Sequence, residues 1–236
     1  MIYYFSQYRN EERLIPYIFR HYDQFVDKYF IWENNSTDNT LELLLSNPKV
    51  TVFKNKNNKD EIVYRNFKNT CYKQYKDCKW VIVADADEFL YHENIKEKLQ
   101  EYEKQAITVV KTQGFQMFNE GFVNSDRQIY EVMQNGVESK LYSKSILFRQ
   151  GIDINYYEGA HYCDPQGYIK YSKQEIKLLH YKVFGDDFIT QMLERNERKS
   201  DNDKKYGLGI YSLDEGHPFN PRKIVDNLRL NAKKVV

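Results

Sequence analysis

Residues 80–89 read Trp80-Val81-Ile82-Val83-Ala84-Asp85-Ala86-Asp87-Glu88-Phe89, an apolar run that delivers three carboxylates within four positions. In open α/β sheets, ligands bind at the carboxyl ends of the strands, which is where these acids are expected. An extended chain would put Asp85 and Asp87 on the same side. Acids this close repel one another unless a cation neutralises them. Carboxylate oxygens suit Mg²⁺ or Mn²⁺, ions that also bridge to substrate phosphates. The alternative is a solvated acidic loop that caps the next helix. Five histidines could add a nitrogen ligand: His21, His92, His161, His180 and His217. His180 ends the apolar run Ile176–Leu179, and His161 follows Gly159-Ala160 in a loop. Either could instead be a structural histidine bonded to backbone. His21 is expected mid-helix and His92 just past the acidic loop, both structural or exposed.

The elements that must position these residues follow from the pattern of the first ~110 residues. Short apolar runs alternate with helical periodicity, the mark of an α/β domain with a mostly parallel sheet flanked by helices. Strands are predicted at Ile2–Ser6, Tyr29–Trp32, Val50–Phe53, Trp80–Ala84 and Ile107–Lys111. Helices are predicted at Glu11–Phe25, at Leu41–Leu45 behind capping side chains Ser36-Thr37-Asp38, at Ile62–Tyr75 and at Ile95–Tyr102. A polar Lys/Asn loop follows Phe53. The second half is less regular: strands are expected within Gly114–Gly121, Leu141–Arg149 and Ile176–Lys182, and a helix at Asp187–Lys199. Residues 200–221 read as loop, and Pro221–Val236 as a short basic helix.

Composition bounds the function classes. With Lys+Arg at 35 against Asp+Glu at 34, there is no basic excess of the kind a nucleic-acid binder shows. Hydrophobic residues at 41% exclude a mainly disordered chain. No apolar run approaches the ~20 residues that span a bilayer, and the N-terminus lacks the basic-then-apolar order of a secretory signal. Three cysteines, Cys71, Cys78 and Cys163, make neither a disulfide framework nor a zinc site, so a reducing, cytoplasmic setting is expected.

Several motifs then occur in a telling order: Arg9-Asn10-Glu11-Glu12 after the first strand, Glu33-Asn34-Asn35-Ser36-Thr37-Asp38-Asn39-Thr40 after the second, Arg65-Asn66 before the acidic strand, and Trp80–Phe89 itself. Lys144–Arg149, Gly159-Ala160-His161 and Leu179-His180-Tyr181-Lys182 follow. In this the chain resembles glycosyltransferases of the GT-A fold, similar to the family 2 enzymes and their short bacterial and viral relatives, over about residues 1–200. Two departures stand out: Glu33 occupies a position the family usually fills with Asp, and Phe118–Gly121 matches the family's acceptor loop only loosely.

The resemblance implies a single GT-A-like domain over 1–200, with a nucleotide-binding half at 1–112 and an acceptor half at 113–200, followed by a loop and basic segment at 201–236. It implies Mn²⁺ or Mg²⁺ as cofactor and a nucleoside diphosphate sugar, UDP-linked, as donor. Asp87 would bind the metal directly, and Asp85 would meet the ribose, or the metal through water. Glu33 would read the base with Arg65 nearby, Arg9 would line the nucleotide site and Lys182 would hold the diphosphate. His180 or His161 would complete the metal set, His180 being favoured. An inverting transfer needs a carboxylate to deprotonate the acceptor hydroxyl. Asp153 and Glu158 are the candidates, with Glu120 a third; a retaining enzyme would need none.

The acceptor would be a glycan, a polysaccharide or a lipid-linked sugar. The C-terminal segment, with Arg222, Lys223, Arg229, Lys233 and Lys234 beside an apolar stripe of Ile224, Val225, Leu228 and Val235, could rest on the inner face of an anionic membrane. The rival activities are a sugar-phosphate nucleotidyltransferase and a non-catalytic carbohydrate-binding relative. The first normally carries a glycine-rich phosphate loop after strand one. Gln7-Tyr8-Arg9-Asn10-Glu11 has no glycine.

Overall fold

The computed structural model describes residues 1–54 and 60–236; the Lys/Asn loop expected after Phe53 lies mainly at 55–59, outside the described residues. The first half runs β1 (Ile2–Tyr8), α1 (Ile15–Tyr22), β2 (Lys28–Glu33), α2 (Thr40–Leu45), β3 (Val50–Lys54), α3 (Glu61–Thr70) and β4 (Trp80–Val83). It continues through β5 (Glu88–Tyr91), α4 (Ile95–Lys104), β6 (Thr112–Asn119), α5 (Ile129–Val132), β7 (Asn135–Glu138) and β8 (Leu147–Arg149). The chain closes with β9 (Ile176–Phe184), α6 (Asp187–Glu197), α7 (Asp201–Tyr206), α8 (Pro221–Asn231) and β10 (Lys233–Lys234).

The α/β class expected from the sequence is what the structure shows, but the strands divide between two five-stranded sheets. The first has the order β3-β2-β1-β4-β8, parallel except for β8. The second has the order β10-β7-β6-β9-β5, with β6 and β9 parallel and the other pairs antiparallel. Alternation along the strands of the first sheet buries both of its faces. Tyr4, Tyr8 and Ile82 join the α1 residues Ile15, Ile18 and Tyr22 in one core, while Tyr3, Phe5, Val81 and Val83 join Tyr72, Phe148 and Ile154 in the other.

The junction between the sheets sets up the site. Asp85-Ala86-Asp87 is not extended, as alternation had predicted; it is a turn closed by Glu88 N–H donating to Asp85 O at 3.1 Å. A turn fits because the chain must leave β4 in one sheet and enter β5 in the other within four residues. Buried hydroxyls fix its backbone: Ser6 Oγ donates to Ala84 O, Tyr22 Oη donates to Glu88 O at 2.8 Å, and Tyr4 Oη lies 3.4 Å from Asp85 O.

Other expectations shift. The predicted strand Ile107–Lys111 is instead a buried crossing between the sheets, with Val109 bridging Phe148 and Tyr171. The predicted strand Leu141–Arg149 is strand only at Leu147–Arg149, preceded by a single 3₁₀ turn at Lys140–Tyr142. Within the expected 200–221 loop, Ser200 Oγ accepts from Asp203 N–H and starts α7. Of the expected capping side chains, Asp38 meets the start of α2: its Oδ1 accepts Thr40 N–H at 3.0 Å, while Asn39, the N-cap residue, makes no side-chain cap. The same segment also holds the neighbouring loop, taking Asn10 N–H on Ser36 Oγ at 3.1 Å and Glu12 N–H on Asp38 Oδ2 at 3.2 Å.

The C-terminal helix α8 packs inward. Val225 and Leu228 are buried against Phe118, Val183, Phe188 and Met192 in a third core. The two central residues of the apolar stripe expected to meet a membrane therefore face the protein. No helix among the described residues is long and apolar enough to cross a membrane.

Candidate active site

A cleft of about 530 Å³ opens where the parallel strands of the first sheet end. Gln7, Tyr8 and Arg9 reach it from the end of β1, Asn34 from the end of β2, and Asp85 and Asp87 from the end of β4. This is the carboxyl edge at a point where strand order reverses, between β1 and β4. Tyr181, Lys182 and Phe184 of β9 line it too, as do Arg195 and Arg198 from the end of α6.

The three acids of the turn have different environments. Asp85 pairs with Lys68 Nζ at 2.7 Å, lies 3.9 Å from Lys144 Nζ and accepts a short hydrogen bond from Tyr64 Oη. Burial alone would raise its carboxyl, but Lys68, Lys144 and Tyr64 outweigh burial and hold it ionised far below the usual range. Glu88 is buried, pairs with Lys144 Nζ at 2.7 Å and accepts Asp85 N–H at 2.9 Å. Glu88 and Asp85 are thus neutralised by two buried lysines. Asp87 is not: burial raises its carboxyl, with Lys182 opposing and Asp85 adding to the rise.

Register explains what Asp87 meets. On β9, His180 sits directly opposite Glu88, and Tyr181 N–H donates to Asp87 O at 2.7 Å. His180 Nε2 therefore lies 3.5 Å from Asp87 Oδ2, while Asp87 Oδ1 is buried without a hydrogen-bond partner. Burial, reinforced by Lys182, pushes the His180 ring well below its ordinary pKa and keeps it neutral. A buried carboxylate with an orphan oxygen beside a neutral imidazole is a donor pair suited to a divalent ion. Among the described residues no group of three or more His, Cys, Asp or Glu side chains converges on one point. An ion here would draw its remaining ligands from water and substrate, as Mg²⁺-type sites commonly do.

The other expected site residues scatter. Arg9 lines the cleft and its Nη1 donates to Asn34 O at 3.0 Å. Lys182 lines it close enough to act electrostatically on Asp87, Glu11 and His180. Glu33 is buried and accepts Ser36 N–H, which closes the turn after β2 and keeps it off the cleft wall. Arg65 is paired with Glu158, so neither lines the cleft. Asp153 pairs with Lys73 Nζ at 2.7 Å, and Glu120 is held by Arg229 through two 2.8 Å contacts. Neither Asp153 nor Glu120 lines the cleft, so the structure brings none of the three expected bases to it. His161 is bonded through Nδ1 to Leu141 O at 2.9 Å and stands beside the edge of Tyr142, whereas His180 is the histidine at Asp87.

Four residues were missed. Tyr64 and Lys68 lie four apart on α3, one face round from the Arg65-Asn66 pair that was singled out; helical spacing could have found them. Glu11 lines the cleft, and burial, with Asp87 next in effect and Lys182 opposing, raises its carboxyl well above the usual range. Its place in the Arg9–Glu12 turn was visible, but not which side chain would face inward. Gln116 left no signal in the sequence; it lies beside His180 only because β6 and β9 pair.

No family model matches the chain, and no curated protein matches it. Among solved structures, the chain is similar to S. aureus TarS 1–349, with TM-score 0.49 and 14% identity over 84% of this chain and 64% of that one. It is similar also to TarS 1–349 in complex with UDP-GlcNAc (TM-score 0.47, 13% identity, 84% and 66% covered) and in complex with UDP (0.47, 15%, 84% and 64%). The chain thus spans less than two thirds of the length of the TarS fragment.

Proposed function

We propose that this protein is a divalent-cation-dependent glycosyltransferase that moves a sugar from a nucleoside diphosphate donor, UDP-linked, to a glycan or polysaccharide hydroxyl with inversion. The observation that carries it is Asp87: an acid at the carboxyl edge of a parallel sheet, in direct ion pair with no lysine among the described residues, with one buried oxygen unpartnered and a neutral histidine against the other. Asp87 and His180 would hold Mn²⁺ or Mg²⁺. When bound there, the ion supplies positive charge next to the departing diphosphate.

The chain's own residues divide the remaining work. Lys182 and Arg9 face the cleft as cations for the diphosphate, with Arg198 lining it too; burial and the nearby Arg9 both push Arg198 toward losing its proton, an unfavourable crowding that an anion relieves. Asp85, kept ionised by its lysines, offers a carboxylate to the ribose hydroxyls. Glu11 replaces the expected bases. It shares the cleft with Lys182 and Asp87, and its raised affinity for protons suits removal of one from the acceptor hydroxyl. Inversion requires one such base on the face opposite the leaving group.

The test is donor turnover. With UDP-sugars and Mn²⁺, the protein should release UDP slowly to water and faster when a glycan acceptor is added. No UDP from any donor, with tight sugar binding retained, would leave a carbohydrate-binding protein. Pyrophosphate release from UTP and a sugar phosphate would make it a nucleotidyltransferase.

A further inference from the structure

We propose that Gln116 is the positioning residue that fixes which nitrogen of His180 faces Asp87, and so makes His180 competent to take a cation. This rests on the proposed cation site and names a residue behind it.

The argument is one of hydrogen-bond directions. Gln116 and His180 are register partners on the parallel strands β6 and β9, and both are buried. The Gln116 amide nitrogen lies 3.0 Å from Met117 O and 3.1 Å from His180 O. Backbone carbonyls only accept, so both contacts require the NH₂ end there. The flipped amide would set its oxygen against two carbonyl oxygens in a dry site, three acceptors with no hydrogen between them. Oε1 must therefore be the atom 2.8 Å from His180 Nδ1. An amide oxygen accepts, so Nδ1 carries the hydrogen, and in the neutral ring Nε2 is left with a bare lone pair.

That lone pair points at Asp87 Oδ2, 3.5 Å away. Two acceptors facing each other can be bridged by a proton or by a cation, and a bare Nε2 lone pair is what the cation needs. The ring cannot turn away, because Tyr142 stacks on it with centroids 4.0 Å apart and planes 17° apart. Tyr142 in turn sits tight against β6, where a Cβ on Gly114 would fall 2.1 Å from the Tyr142 carbonyl carbon. Partners behind a metal-binding histidine commonly change metal affinity 10–100-fold, roughly, when removed.

Three proteins and two readouts test this. Mn²⁺ affinity is measured by the electron paramagnetic resonance of free Mn²⁺ for the wild type, His180→Ala and Gln116→Met. The tautomer of His180 in the metal-free wild type is read from long-range ¹H–¹⁵N NMR at a pH where the ring is neutral. Expected are an Nδ1–H ring in the wild type and Mn²⁺ binding weakened about 10–100-fold in Gln116→Met with the fold retained. An Nε2–H ring, or wild-type affinity in Gln116→Met, overturns the role of Gln116. If Gln116→Met does not fold, the wild-type tautomer decides alone. If His180→Ala binds Mn²⁺ like the wild type, the cation site itself is wrong, an outcome distinct from the tautomer result.

Discussion

Carboxylates of one type take three fates here, decided by neighbours rather than by sequence. Asp85 is held by Lys68 and Tyr64, Glu88 by Lys144, and Asp87 by neither. The order of acids along the chain was plain, and so was their place after a buried strand. What could not be read was the lysine partnership, because Lys68 and Lys144 come from elements 17 residues before and 56 residues after Asp85–Glu88 and meet only in the fold. The placing of the expected bases was hidden for the same reason: Asp153, Glu158 and Glu120 each pair with a cation away from the cleft lining. Glu11, which lines the cleft along with Asp60, Glu61 and Glu194, is the base proposed above. Replacing it, Glu11→Gln, should lower kcat at saturating donor and acceptor by about 10²–10⁴-fold, the usual span for a general base. Donor affinity by calorimetry should stay within a few-fold of the wild type. Equal loss of donor affinity and kcat would place Glu11 at the diphosphate instead.

Among the elements, β1, β2 and β4 were legible because each buries a continuous apolar run, whereas β3 showed as a short apolar alternation with no fully buried residue. β5 was missed because its first residue is a charged Glu88, read as part of the acidic loop; only pairing with β9 and the buried Lys144 make it a strand. The run Ile107–Lys111 misled in the opposite direction, since burial between two sheets produces the same apolar signature as membership of one. The second sheet holds His180 where it is needed through the packing of Gly114 under Tyr142. Gly114→Ala must push the 3₁₀ turn off β6 by moving backbone, an overpacking that typically costs about 1–3 kcal/mol. A lowered Tm accompanied by weaker Mn²⁺ binding is expected from Gly114→Ala. A lowered Tm with unchanged Mn²⁺ affinity would show that the Tyr142 stack does not hold His180.

For the molecule as a whole, the tyrosine-rich composition proves to have a structural use, in that buried hydroxyls satisfy the backbone where the two sheets meet. His21 lies in the same core, 5% exposed, with Nε2 on Leu90 O at 2.9 Å and Nδ1 without a partner. Burial, only partly offset by that hydrogen bond, lowers its pKa from 6.5 to about 4. The unfolded chain therefore takes up the proton first as pH falls. The stability His21 contributes is complete above pH 6.5 and is lost as pH drops toward 4, by about 3 kcal/mol in all. Urea unfolding of the wild type and His21→Phe between pH 7 and 4 should converge by that order; parallel curves would contradict a buried neutral ring.

The most direct measurement is calorimetric titration of UDP into the wild type and Asp87→Asn, each with and without Mn²⁺. A cation held by Asp87 that clasps a diphosphate predicts at least about tenfold tighter UDP binding with Mn²⁺ in the wild type, close to 1.4 kcal/mol. It predicts no such gain in Asp87→Asn with an unchanged Tm. UDP affinity indifferent to Mn²⁺ in the wild type, or the same Mn²⁺ gain in both proteins, would contradict it.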